Sequence, residues 1–102
     1  MLREIKLSVQ SEKKLDKLLA YLETEWSEKI KKDFIKKLDR SFDKIKRYPE
    51  SFPQTDLIKG LHKCVVTQQT TLYYKFDDTR VYIVTLFDNR QDPLKLEKET
   101  KK

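Results

Sequence analysis

The chain has 102 residues, 37% of them apolar and 39% charged, with a formal net charge of +6 and eleven aromatic side chains. That length holds one modest hydrophobic core and excludes two ordinary domains, and its stock of core formers excludes a disordered chain. No stretch approaches the roughly 18 apolar residues of a spanning helix, and Met1 to Gln10 alternates where a signal peptide runs continuously apolar, so a cytoplasmic protein is expected.

Chain order begins with Ile5, Leu7 and Val9 alternating with polar neighbours, the period-two pattern of a half-buried strand over about 3–9. Ser11, followed by Glu12, is a candidate cap for a first helix over 11–25. Its apolar stripe is Leu15, Leu18, Leu19, Leu22 and Trp26, which puts Trp26 in the core between two helices. Ser27 caps the second helix, 27–47, whose inward stripe is Ile30, Phe34, Leu38, Ser41, Phe42 and Ile45. With a residue or two between them, the helices must form an antiparallel hairpin.

The second helix also carries most of the charge. Residues 27–47 hold nine Lys/Arg against four acids, and Lys36 and Arg40 stand on the face opposite the apolar stripe. Such a face suits an acidic protein or a nucleic acid, and it also serves simply as a solvated surface.

Pro49 and Pro53 end that helix and open a loop that runs from Tyr48 to Gly60, where the sole glycine supplies a backbone angle other residues resist. Strands are predicted over 61–68, 71–77 and 80–87, the last two joined through Asp77-Asp78-Thr79 as a hairpin. The tail 95–102 is nearly all charged and is expected to fray unless Leu94 and Leu96 dock on a partner. The result is a single α+β domain over 1–102, order β-α-α-β-β-β. A helical hairpin lies on one face of an antiparallel sheet that ends in a three-stranded meander.

Cys64 has no partner for an internal disulfide and reads as buried filler or a free thiol. No glycine-rich phosphate loop, metal-ligand cluster or Ser/His/Asp set appears, which excludes nucleotide hydrolases, zinc enzymes and serine hydrolases and leaves no metal or cofactor expected. Function is sought instead where the last strand empties into Asp88-Asn89-Arg90-Gln91-Asp92-Pro93.

The element order, the loop Tyr48-Pro49-Glu50-Ser51-Phe52-Pro53, and the strand ends Leu72-Tyr73-Tyr74 and Phe87 to Pro93 together resemble the RelE/ParE superfamily of bacterial toxins, from about Ile5 to about Leu96. The resemblance implies the growth-inhibiting, plasmid-stabilising half of a type II toxin–antitoxin pair, silenced by a small acidic antitoxin in a hetero-oligomer. RelE-like members cut messenger RNA on the ribosome, whereas ParE-like members block DNA gyrase.

Arg90 matches by position the arginine that the nucleases set against the scissile phosphate, a task suited to its planar, permanently charged fork. The rest of that set is thin: Thr70 and Thr71 stand where a second arginine is usual, and Leu94, Lys95 and Leu96 where a tyrosine would lie. Lys63 and His62 are the remaining candidates for catalysis. These departures favour a ParE-like, gyrase-binding toxin, with a ribosome-dependent endoribonuclease or an inactive antitoxin-binding relative as alternatives.

Bland readings stand beside these. Arg90 would staple the strand end by bridging Asp88 and Asp92, and His62 would be a surface strand residue. Tyr73, Lys75 and Tyr82 are expected together on one face of the hairpin, a surface for RNA or, preferably, for the antitoxin.

Overall fold

The computed structural model describes residues 2–56, 58–91 and 95. Strand β1 (Glu4–Leu7) leads into helix α1 (Val9–Glu25) and helix α2 (Glu28–Arg47). A 3-10 turn over Pro49–Ser51 then precedes β2 (His62–Val65), β3 (Thr70–Phe76) and β4 (Arg80–Asp88). The expected order and the helical hairpin are both present. The expectation that the tail frays unless Leu94 and Leu96 dock on a partner concerns residues that, Lys95 apart, lie outside the described ones.

Helix α1 starts earlier than its sequence suggests because Ser8, not Ser11, is the cap: the Ser8 hydroxyl accepts the Ser11 N–H at 3.0 Å. That cap ends β1 at Leu7. Ser27 caps α2 as expected, accepting the Ile30 N–H at 3.1 Å. At the other end of α1, the N–H groups of Trp26 and Ser27 both donate to the Leu22 carbonyl, closing the helix and reversing the chain. Trp26 therefore leaves the stripe and is 67% exposed, which corrects the expectation that it fills the core.

The sheet order is β1-β4-β3-β2. β2, β3 and β4 form the expected antiparallel meander, but β1 pairs with β4 in parallel, Glu4 with Arg80 through Leu7 with Ile83, so the sheet is mixed and not wholly antiparallel. The physical reason is the long connection: the helical hairpin, the loop and the β2–β3 pair all lie between β1 and β4, enough chain for β4 to run in the same direction as β1.

In β4 the register shifts, Tyr74 facing Ile83 and Tyr73 facing Thr85, which leaves Val84 as an extra residue in a bulge. Ile83 and Leu86 consequently both face the helices, while Val84 and Phe87 both turn to the reverse side.

The main core lies between helices and sheet, where Phe34, Leu38 and Ile45 of α2 meet Leu72, Tyr74, Val81 and Ile83. The α1 stripe, Leu15, Leu18, Leu19 and Leu22, packs half-buried against it. A smaller cluster of Leu61, Tyr73 and Phe87, with Ile58 and Val84, sits on the reverse face. The loop before β2 covers that face; Gly60 supplies its turn at φ 83° and Thr55 N–H bonds the Leu61 carbonyl at 2.7 Å.

Candidate functional site

The end of β4 is built by its own polar side chains. Asn89 ties it to the preceding turn: its N–H donates to the Gln69 carbonyl at 2.8 Å, its side-chain amide to the Gln68 carbonyl, and its carbonyl oxygen accepts from Thr71 Oγ1 at 2.9 Å. With Asn89 held, the chain reverses through Asp88-Asn89-Arg90-Gln91, closed by Gln91 N–H on the Asp88 carbonyl at 2.9 Å. The Asp88 carboxylate accepts the Arg90 N–H at 2.9 Å, an Asx turn that aims the arginine back at the acid two residues before it.

Arg90 then donates to Asp88 through Nε at 3.0 Å and through Nη2 at 2.7 Å. The guanidinium hydrogen bond holds the Asp88 carboxyl below the usual carboxylate range, and the same bond pushes the Arg90 pKa up. Half of the stapling role read for Arg90 is thus present, and Asp92 lies outside the described residues.

Facing this turn is α1, whose first turns replace β1 along the upper half of β4. The Ser8 N–H and the Ser11 hydroxyl both donate to the Ile83 carbonyl at 3.0 Å, and the Ser8 hydroxyl donates to the Val84 carbonyl at 2.8 Å. One turn further on, Lys14 Nζ reaches Thr85 Oγ1 at 3.1 Å and the Leu86 carbonyl at 3.3 Å. A groove of about 410 Å³ remains between helix and strand end, with Lys14, Lys17, Arg90 and Lys95 among its lining and Asp88 the one acid among the described residues there.

A second cavity of about 610 Å³ shares Lys17, Leu18 and Arg90 and continues along the hairpin to Tyr21, Leu22, Trp26 and Ile30. The site is therefore cationic at one end and apolar at the other. Chemically it can hold an oxyanion next to an apolar group.

The three candidates for phosphate chemistry do not meet. His62, expected at the surface, is only 8% exposed on the helix-facing side of the sheet. Its Nδ1 lies 2.7 Å from the Phe52 carbonyl, which can only accept, so Nδ1 carries the proton, and its ring stacks on Tyr74 at 5.5 Å. Lys63 is exposed on the opposite face, paired with Tyr73. Register aligns His62 with Tyr74 and Ile83, which leaves roughly 15 Å of strand before Arg90. No histidine lines the groove.

The five candidates for partner binding fall on two sides of the molecule. Lys36 and Arg40 are exposed on α2, and Lys75 and Tyr82 are exposed side by side on the reverse face of the sheet, in register with each other. Lys6 continues that row across β1, so Tyr82 lies between two lysines. Tyr73 shares this face but is buried by Leu61 and Phe87 beneath the loop, against the expectation of an open aromatic surface. Burial also pushes its hydroxyl pKa up.

Lys14 and Lys17 were not legible as site residues. Their arrival beside Arg90 depends on the parallel pairing of β1 with β4, for which the sequence carries no local signal. Cys64 is buried filler, its thiol pKa pushed up by burial. Among the described residues no group of three or more His, Cys, Asp or Glu side chains gathers to hold a metal, and no helix is long and apolar enough to cross a membrane.

This architecture is similar to that of solved toxin–antitoxin proteins. A chain of the chromosomal ParDE system from P. aeruginosa matches with a TM-score of 0.71 at 6% identity, over 85% of this chain and 96% of that one. A chain of the E. coli DinJ-YafQ toxin–antitoxin complex matches with a TM-score of 0.61 at 15% identity, over 88% and 96%. A point mutant of E. coli YafQ matches at 0.52 and 15%, over 86% and 94%. At these identities the likeness is one of fold, the α+β toxin fold of a helical hairpin on a four-stranded sheet.

Sequence narrows the class. The family described as ParE toxin of type II toxin-antitoxin system, parDE, matches residues 5–93, and the chain belongs to it, a toxin of the RelE/ParE superfamily. Among curated proteins no sequence matches.

Proposed function

We propose that this toxin acts in the ParE manner, inhibiting growth in the cytoplasm by binding DNA gyrase or a similar protein target, and that a cognate acidic antitoxin neutralises it. The observation that carries the choice is the dispersal of the three residues a nuclease would need. His62 is buried between the Phe52 carbonyl and the Tyr74 ring, Lys63 points from the other face, and Arg90 is engaged by Asp88 at the far end of β4. Cleavage of a phosphodiester needs a proton acceptor, a proton donor and a cation around one phosphate.

The antitoxin reading is supported by where the basic groups stand. Lys36 and Arg40 lie on the outer side of the helical layer and Lys75 and Tyr82 on the reverse of the sheet. A compact partner reaches one of these surfaces, whereas an extended, acidic chain that orders on binding reaches both. Solved relatives of this fold are described as toxin–antitoxin systems and complexes, which agrees with such a partner.

Induced expression in a bacterial host tests the reading. Filamentation and a DNA-damage response without new RNA ends are expected. Site-specific cleavage of messenger RNA that depends on Arg90 would replace it with the endoribonuclease alternative, and normal growth would leave only the antitoxin-binding relative.

A further inference from the structure

The Asp88–Arg90 pair closes a ring between residues two apart, with the arginine side chain 66% exposed. An ion pair this open to water contributes little, so it is readily broken. The fork is already filled by a carboxylate, in the side-on geometry that a carboxylate from elsewhere would adopt. Lys17 and Lys95 line the same groove, so among its described residues cations outnumber acids around Arg90. The groove then runs on past Leu18 and Leu22 to Trp26 and Ile30, which are 67% and 41% exposed.

We propose that Asp88 is an internal stand-in for a partner's carboxylate. An acidic, amphipathic polypeptide segment docks along this groove by taking Arg90 from Asp88, while its apolar side chains cover Trp26 and Ile30. The charge complementarity selects an acidic partner, and the apolar continuation selects a polypeptide over a phosphate chain, which has no apolar side to offer. Exchange of one carboxylate for another conserves the hydrogen bonds of Arg90, so net affinity comes from the apolar burial and from Lys17 and Lys95. The proposal rests on the antitoxin reading for the identity of the partner, and makes Asp88 the residue that sets how tightly this groove holds it.

Trp26 is the only tryptophan in the chain and lines the apolar end, so its emission reports occupancy directly. The probe is a synthetic helical peptide with Glu and Leu on opposite faces, set against a single-stranded oligonucleotide of equal charge. The full-length toxin is expected to bind the peptide with a blue shift of Trp26. Asp88→Asn should tighten binding about threefold to fivefold, through loss of the competing pair.

In an Arg90→Gln background the same Asp88→Asn change should have no effect, because there is no fork left to release. Asp78→Asn, on the hairpin turn, should leave binding unchanged. An equal gain from Asp88→Asn with and without Arg90 would reduce the effect to general charge and overturn the proposal. So would tighter binding of the oligonucleotide, or peptide binding that leaves Trp26 unshifted. Growth inhibition by each variant is scored separately: toxicity without this coupling sinks the groove proposal alone, and coupling without toxicity sinks the toxin reading alone.

Discussion

The hydroxyl of Ser11 donates to the carbonyl of Ile83 at 3.0 Å, joining the first turn of α1 to a strand 72 residues later. Ser11 is fully buried, so this contact and those of Ser8 stand in for a neighbouring strand along the edge of β4. Ser11→Ala leaves the Ile83 carbonyl the Ser8 N–H alone, and is expected to cost about 1–2 kcal/mol. Ser8→Ala removes both the helix cap and the donor to Val84, at a comparable or greater cost of about 1–3 kcal/mol. Urea denaturation of both variants checks the ranking.

The two apolar stripes make a second prediction. Phe34 is 7% exposed inside the main core, and Phe34→Ala should lose about 3–5 kcal/mol. Leu22 is half-buried beside the groove, and Leu22→Ala should lose less, about 1–2 kcal/mol. A reversed order in denaturation midpoints would mean that α1 and not α2 anchors the sheet.

Alkaline stability should depend on Tyr74. Its hydroxyl donates to the Pro49 carbonyl at 2.7 Å, and burial, reinforced by Cys64 and Glu50, raises its pKa far above the ordinary tyrosine value. A raised pKa in the folded state means that the contribution is complete below about pH 10 and is lost as pH rises beyond it. Tyr74→Phe should cost about 1–3 kcal/mol near neutrality, because the Pro49 carbonyl loses its donor, and should flatten the alkaline decline. Denaturation midpoints measured across that range decide it.

Acid stability has the opposite sign. The Arg90 hydrogen bond lowers the pKa of Asp88, and the N–H groups of Thr79 and Arg80 lower that of Asp77. Each contributes above the ordinary aspartate value of about 4, and the contribution disappears as pH falls through the lower folded value. Asp77→Asn with Asp88→Asn should therefore give a shallower fall in midpoint between roughly pH 4 and pH 2 than the parent shows.

Antitoxin capture should be steered by charge. Reversal of Lys36 and Arg40 is expected to slow association about tenfold at low salt while leaving the fold intact, and the difference should shrink at physiological ionic strength. Stopped-flow association at two salt concentrations measures this. Rates indifferent to both salt and reversal would remove the α2 face from the encounter.

What the sequence made legible is what local pattern encodes. The α2 stripe, the Ser27 cap, the Asp77 turn and the φ of Gly60 depend on neighbours within a few residues. Trp26 misled because helical spacing continues past the point where the Leu22 carbonyl closes the helix. Ser11 misled because a serine can cap or be buried, and only the docking of α1 on β4 decides between them.

His62 was legible in principle. It alternates with Cys64, and two residues at that spacing share a face, so a buried Cys64 implies a buried His62. Tyr73 needed the loop to be recognised as a cover, for which Ile58 and Leu61 were the available signal. The groove was out of reach altogether, since Lys14 and Arg90 meet only through pairing between the two ends of the chain.

That pairing has a consequence for synthesis. β1 is made first, yet its hydrogen-bonding partners are residues 80–83, and the apolar sides of both helices rest on strands made after them. While the chain is being translated, the helical hairpin has nothing to close upon, and such long-range contacts form late. The groove, whose walls are α1 and the end of β4, cannot exist until residues 80–91 have been made and folded back on α1. A chain stopped before β4 therefore has neither the parallel strand pair nor the groove, however well its two helices form.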